Sequence, residues 1–160
     1  LMQKEVSHMI SSARSKNMSA IKSKNTKPEI EVRKLLHSMG FRFRLHRKDL
    51  PGSPDIFLPK FKTVIFVHGC FWHRHENCKY SSTPKTRVQF WEKKFNSNIL
   101  RDLENQKKIK DIGLRSIIIW ECELKNKKEL EKKLFDIRKK LKKFITNYQI
   151  LFCELYLIIS

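Results

Sequence analysis

No stretch of this chain is long and apolar enough to span a membrane. The longest apolar runs, Ile117–Trp120 and Tyr156–Ile159, fall far short of the roughly 20 residues that a spanning helix needs. The first residues, Leu1–Ala13, lack the apolar region of a secretory signal peptide. Cysteine is scarce: four in 160 residues are too few for a secreted disulfide framework and point to a reducing compartment. Acidic residues are outnumbered, 16 against 35 Lys and Arg, for a formal net charge of +19. A globular chain this basic is built to meet a polyanion. Nothing supports an anionic membrane surface as that partner, so nucleic acid is the leading expectation.

What is present suits one domain, with 40% hydrophobic residues to build its core. Residues 1–25 read as a flexible basic arm, with Arg14, Lys16, Lys22 and Lys24 among Ser and Asn. Thr26-Lys27-Pro28-Glu29 has the capping-box pattern with Pro in the first turn. The helix it opens carries Val32, Leu35, Leu36 and Met39 on one face and stops at Gly40. Phe41, Phe43 and Leu45 alternate with Arg42 and Arg44, which predicts a half-buried strand. After a turn at Pro51-Gly52-Ser53-Pro54 come a short strand, Asp55–Leu58, and an apolar one, Thr63–Val67, suited to a sheet covered on both faces. His68–Thr86 is irregular and dense in His, Cys and aromatics.

Helix resumes over about Arg87–Asp111, with Phe95, Ile99 and Leu103 expected inward. Leu114–Glu121 reads as a buried strand, and Asn126–Ile145 as an amphipathic helix burying Leu130, Leu134, Ile137, Leu141 and Phe144. The order α-β-β-β-α-β-α predicts a strand meander followed by a parallel crossover, hence a mixed sheet flanked by helices. The domain proper is residues 26–145; residues 146–160 form an apolar tail of unassigned role, and Cys153 within it reads as a free thiol.

Cys70, His75 and Cys78 follow one another as C-x4-H-x2-C, and Cys122 stands just past the last strand. Soft ligands clustered on a loop and closed by a distant Cys suit tetrahedral zinc, and a Cys3His set without an open position is structural. His73 is a rival ligand. A second constellation begins at Pro54-Asp55, where a strand opens, followed by the apolar strand ending at Val67. This resembles the PD-(D/E)xK nuclease core, in which carboxylates at such positions hold Mg²⁺. The usual E-x-K element is absent; Val67-His68-Gly69 takes its place. Mg²⁺ takes few protein carboxylates and keeps several waters, so Asp55 with the backbone carbonyl of Val67 would suffice. Without the Lys, His68 or His73 is the candidate base for an attacking water.

The run Val64-Ile65-Phe66-Val67-His68-Gly69-Cys70-Phe71-Trp72-His73 resembles the very-short-patch-repair (Vsr) endonucleases, which nick DNA beside the T of a T·G mismatch. Arg14-Ser15-Lys16-Asn17-Met18, Leu50-Pro51-Gly52-Ser53-Pro54-Asp55, Phe90-Trp91, Arg101-Asp102 and Trp120-Glu121-Cys122 agree, so the likeness runs from about residue 13 to 145. It implies a restriction-endonuclease-like α/β fold with a structural zinc site, and a catalytic Mg²⁺ on Asp55. It further implies His73 as general base, and His68, Glu29 and Asp102 as supporting residues. Cys70, His75, Cys78 and Cys122 become the zinc ligands. Phe71, Trp72 and Trp91 resemble aromatics that wedge into the duplex, and the arm with Arg14, Lys16, Asn17 and Met18 resembles a segment crossing the DNA from the other groove. The family usually has Thr where Val67 stands, and the His75–Cys78 spacing is one residue longer than usual.

The first expectation is therefore a monomeric, Mg²⁺-dependent mismatch nickase. It would act on duplex DNA in the cytoplasm of a bacterial-type cell, at the nucleoid, with docking of a mismatch-repair protein left open. A restriction-type nuclease cutting paired DNA is the second reading. A zinc-stabilised DNA-binding protein without catalysis is the third.

Overall fold

The structure, a computed structural model, describes residues 24–139. Helix α1 (Lys27–Ser38) starts where the capping box requires: the Thr26 side chain accepts from the Glu29 N–H, and the Glu29 side chain accepts from the Thr26 N–H. Such a cap is worth about 1 kcal/mol. Gly40, at φ +78°, turns the chain out of the helix, a left-handed backbone that glycine adopts at no steric cost.

Strands β1 (Arg44–Leu45), β2 (Ile56–Leu58), β3 (Thr63–His68) and β4 (Arg115–Trp120) form one sheet in the order β1-β2-β3-β4. The first three strands pair antiparallel and β4 joins β3 in parallel, the meander and crossover expected. The first strand is shorter than its alternation predicts, just two exposed residues. Phe41 is buried, but as a loop residue set edge-on against Phe61 at 5.5 Å. The alternation there reflects a loop pressed on the core, not a ladder.

The sheet separates two apolar layers. On one face, α1 and helix α3 (residues 127–139, up to the last described residue) cover Ile56, Leu58, Ile65 and Ile119 with Val32, Leu36, Leu130 and Leu134. On the other, helix α2 (Val88–Asp111) sets Ile109 against Val64 and Phe66. Successive residues of β3 thus point to opposite layers, which is why that strand is apolar throughout. Leu141, Phe144 and the tail with Cys153 lie outside the described residues.

Helix α2 corrects one expectation. Phe95 is buried, but Ile99 and Leu103 are 36% and 59% exposed, and it is Asn98 that is buried. Phe95, Asn98, Asp102 and Ile109 share a face at helical spacing. The middle of that face is polar because it crosses the carboxyl ends of β3 and β4, where a cleft opens. Such ends are where open α/β sheets place their ligands. The turn before β2 also lines this cleft. Gly52, at φ +72°, stands so near α2 that a Cβ there would lie 3.0 Å from the Asn105 side chain. Among the described residues no helix is long and apolar enough to cross a membrane.

Candidate active site and metal centre

The cleft holds about 900 Å³, and Asp55, His68, His73, Asp102 and Glu29 all line it, with Val67, Trp72 and the cationic side chains Lys24, Lys94 and Arg101. Residues far apart in the chain, from Lys24 to Asp102, meet there because β2 begins where β3 and β4 end. Asp55 Oδ2 accepts from the Val67 N–H at 2.8 Å, which ties the carboxylate to the carboxyl end of β3. Its other oxygen has no hydrogen-bond partner among the described residues. Burial and the neighbouring charge of Glu29 push the Asp55 carboxyl above its usual range, against the pull of the Val67 N–H. A half-buried carboxylate with one free oxygen suits a divalent cation.

Across the cleft, His73 Nδ1 lies 2.5 Å from Asp102 Oδ2. Burial works against ionisation of Asp102, but hydrogen bonding and charge from His73, with His68 and Arg101, outweigh it and hold the carboxyl below its ordinary range. An ionised carboxylate only accepts. His73 therefore carries its proton on Nδ1, and in the neutral ring Nε2 keeps its lone pair, the arrangement of an oriented general base. His68 stacks on His73 with ring centroids 3.8 Å apart and 15° between planes. Burial first, then the charge of His73, lowers the His68 pKa to about 4, so this ring is neutral near pH 7 and packs against His73 without competing for a proton.

The four sulfur and nitrogen ligands predicted from spacing also meet. One donor atom from each of Cys70, His75, Cys78 and Cys122 lies within 4.8 Å of the others. Register explains the distant member. His68 pairs with Trp120 at the parallel strand ends, so Cys70 and Cys122 each stand two residues past the ends of neighbouring strands. His75 Nδ1 is 3.7 Å from Cys70 Sγ and 3.2 Å from Cys122 Sγ. These edges bracket the about 3.5 Å expected of a tetrahedron with metal–sulfur and metal–nitrogen bonds of zinc length. The His75 ring stacks on Trp120, 4.2 Å away and 9° from parallel, which fixes its orientation. The three cysteines are free thiols; burial above all, with hydrogen bonding to its sulfur neighbours, pushes Cys70 up to about 12. A cation among these groups would replace their protons.

Phe71 and Trp72, which lie between Cys70 and His73 in the chain, belong to an aromatic cluster. Phe71 meets Trp72 at 5.1 Å and Trp91 at 5.4 Å, both edge-on, and Trp91 stacks on Phe95 at 5.6 Å. Phe71, Trp72 and Trp91 are half-buried, whereas Phe95 anchors the cluster in the interior. The Trp72 carbonyl accepts from the buried Asn98 side chain at 2.9 Å, so α2 sets the height of the loop.

Sequence reasoning missed His46 and Arg33. His46 joins Glu29 and Asp55 in a second trio of donor atoms within 4.8 Å. Its signal was weak: one His in an Arg-rich loop far from any motif. Arg14, Lys16, Asn17 and Met18 lie outside the described residues.

Residues 8–79 match the family described as DNA mismatch endonuclease Vsr. The chain is 48% identical over 120 residues to the Type II nicking enzyme V.XorIIP of Xanthomonas oryzae pv. oryzae, covering 75% of this chain and 88% of that protein. It is 49% identical over 116 residues to the Type II nicking enzyme V.NmeAIP of Neisseria meningitidis serogroup A, covering 72% and 82%. Identity to the DNA mismatch endonuclease Vsr of Escherichia coli K12 is 40% over 117 residues, covering 73% and 74%.

Proposed function

This chain belongs to the Vsr family of DNA mismatch endonucleases and is a DNA endonuclease of mismatch repair, and on that premise we propose that it nicks one strand beside the T of a T·G mismatch by Mg²⁺-dependent hydrolysis. The observation that carries this reading is the cleft in which Asp55 faces the His73–Asp102 pair. Asp55, through its free oxygen, and the Val67 backbone carbonyl would hold Mg²⁺. That ion, when bound, offsets charge on the phosphoryl oxygens and the leaving oxygen. His73 Nε2 takes the proton of the attacking water as its oxygen bonds to phosphorus and the phosphodiester P–O bond breaks. Asp102 stabilises the imidazolium that results, and His68 holds the ring by stacking. Val67 meets Asp55 through its backbone N–H, a contact that does not depend on the side chain.

Cys70, His75, Cys78 and Cys122 would hold a structural Zn²⁺; with four protein ligands no position is left for water. It would staple the loop bearing Phe71, Trp72 and His73 to the end of β4. The Phe71–Trp72–Trp91 cluster would wedge beside the mismatch, as unstacking side chains do elsewhere, and the basic arm would grip the opposite groove. The restriction-endonuclease-like assignment belongs to this reading, supported by the position of Asp55 immediately before β2, which pairs with β3. The test compares nicking of a T·G duplex with a fully paired one, with and without Mg²⁺. The expected result is nicking of the mismatched duplex in Mg²⁺ alone. Equal cutting of paired DNA supports the restriction-type reading, and no cutting of either supports a binding protein.

A further inference from the structure

Glu29, His46 and Asp55 have the spacing of a second cation site, but their hydrogen bonds assign them differently. A carboxylate offers about four lone-pair sites, and Glu29 has four donors on them. Thr26 Oγ1 at 2.9 Å and Thr26 N at 3.4 Å reach Oε1; Asn25 N at 2.9 Å and Arg33 Nη2 at 2.6 Å reach Oε2. The imidazole is engaged too. Guanidinium only donates, so toward Arg33 Nη2 at 3.0 Å His46 Nε2 is the acceptor, and Asn25 Oδ1, 3.3 Å from the same nitrogen, is then no hydrogen-bond partner of it. The other arm of the fork, Nη1, donates to Asn25 Oδ1 at 2.7 Å. Of the trio, Asp55 alone keeps a carboxylate oxygen without a partner among the described residues.

We propose that Arg33 is a positioning residue whose guanidinium stands where a second cation would, neutralising Glu29, engaging His46 and leaving Asp55 as the one carboxylate open to a divalent ion. The proposal deepens the assignment of Asp55 to the metal and rests on it. One planar fork ties together three pieces of chain: the turn before α1, α1 itself and the loop after β1. His46 is held there at φ +46°, a conformation costly for a residue other than glycine that persists only where its surroundings fix it. Lysine, a single point charge, cannot reproduce this three-way contact. Glu29 is then a hub buried at the cleft wall, not a ligand.

The test is Mn²⁺ binding to the full chain with its structural metal retained, read by electron paramagnetic resonance. Wild type should bind a single Mn²⁺ that Asp55→Ala removes, with no nitrogen coupling from His46. Arg33→Gln removes the competing cation and frees lone pairs on Glu29 and His46. Mn²⁺ should then bind about tenfold tighter or more, with a nitrogen coupling that the added His46→Gln change abolishes. Unchanged Mn²⁺ affinity in a folded Arg33→Gln protein overturns the proposal. Should Arg33→Gln fail to fold, His46→Gln alone decides. Affinity within about threefold of wild type supports the proposal, whereas a tenfold loss shows that the imidazole already ligates and overturns it. Retention of Mn²⁺ by Asp55→Ala overturns the metal assignment itself, a failure distinct from that of Arg33.

Discussion

Replacing Asp102 by Asn tests the catalytic reading most directly, because it changes charge while keeping shape. The His73–Asp102 contact is 2.5 Å, between side chains 23% and 17% exposed. A full charge pair at about 4 Å is worth roughly 4 kcal/mol at an effective dielectric constant of 20. Partial solvent access lowers this, so the imidazolium formed during proton transfer should lose about 2–4 kcal/mol of stabilisation when the carboxylate becomes an amide. At ~1.4 kcal/mol per tenfold, the nicking step should slow roughly 30- to 1,000-fold. His73→Ala, which removes the base, should cost ~10²–10⁴. Since Asp102 acts through His73, the double variant should be no slower than His73→Ala alone. The assay is the single-turnover nicking rate on a T·G duplex at saturating enzyme and Mg²⁺, with DNA affinity measured separately. Affinity should hold or rise, since a negative charge has left a surface that faces phosphates. An Asp102→Asn rate within threefold of wild type, or a double variant whose loss is the product of the two single losses, would refute the reasoning.

Cys122→Ser should lower zinc content well below one ion per chain and depress the melting temperature, although Cys122 lies outside the cleft; native protein without tightly bound zinc on metal analysis sinks the assignment. Acid should destabilise the fold through His68, whose pKa falls from an ordinary 6.5 to about 4. Above pH 6.5 both folded and unfolded rings are neutral. As pH falls from there the unfolded chain takes up a proton that the folded ring refuses, so stability declines and the full loss, about 3 kcal/mol, is reached below pH 4. Urea unfolding of wild type and His68→Gln between pH 7.5 and 4.5 should show a steeper decline in wild type, and parallel curves would discount the effect. Trp72→Ala should weaken binding to T·G duplex by ~1–3 kcal/mol and to paired duplex by less; equal losses in a titration of both would make Trp72 merely structural.

Local chemistry was legible in the order of residues. Thr26, Pro28 and Glu29 spell a helix start because a capping box closes within one turn. The apolar run of β3 announces a strand covered on both faces, and C-x4-H-x2-C announces a metal loop because its donors are neighbours along the chain. Cys122 could be paired with that loop by ligand type alone. The parallel register of His68 with Trp120 is what delivers it. The inward face of α2 was misread because hydrophobic periodicity records exclusion of water from a dry core, whereas Asn98 and Asp102 turn toward a polar cleft and Ile99 and Leu103 turn away. His46 and Arg33 left almost no signal. Their meaning comes from one guanidinium fork bridging Asn25, Glu29 and His46, a contact across 21 residues that exists only once α1 and the loop after β1 are folded together. Short-range propensity determined the elements and the ligand types of this protein. Which polar side chains face one another, and which lone pairs remain free for a metal, was decided by tertiary structure, because hydrogen bonding in a cleft depends on distances in space that chain spacing does not encode.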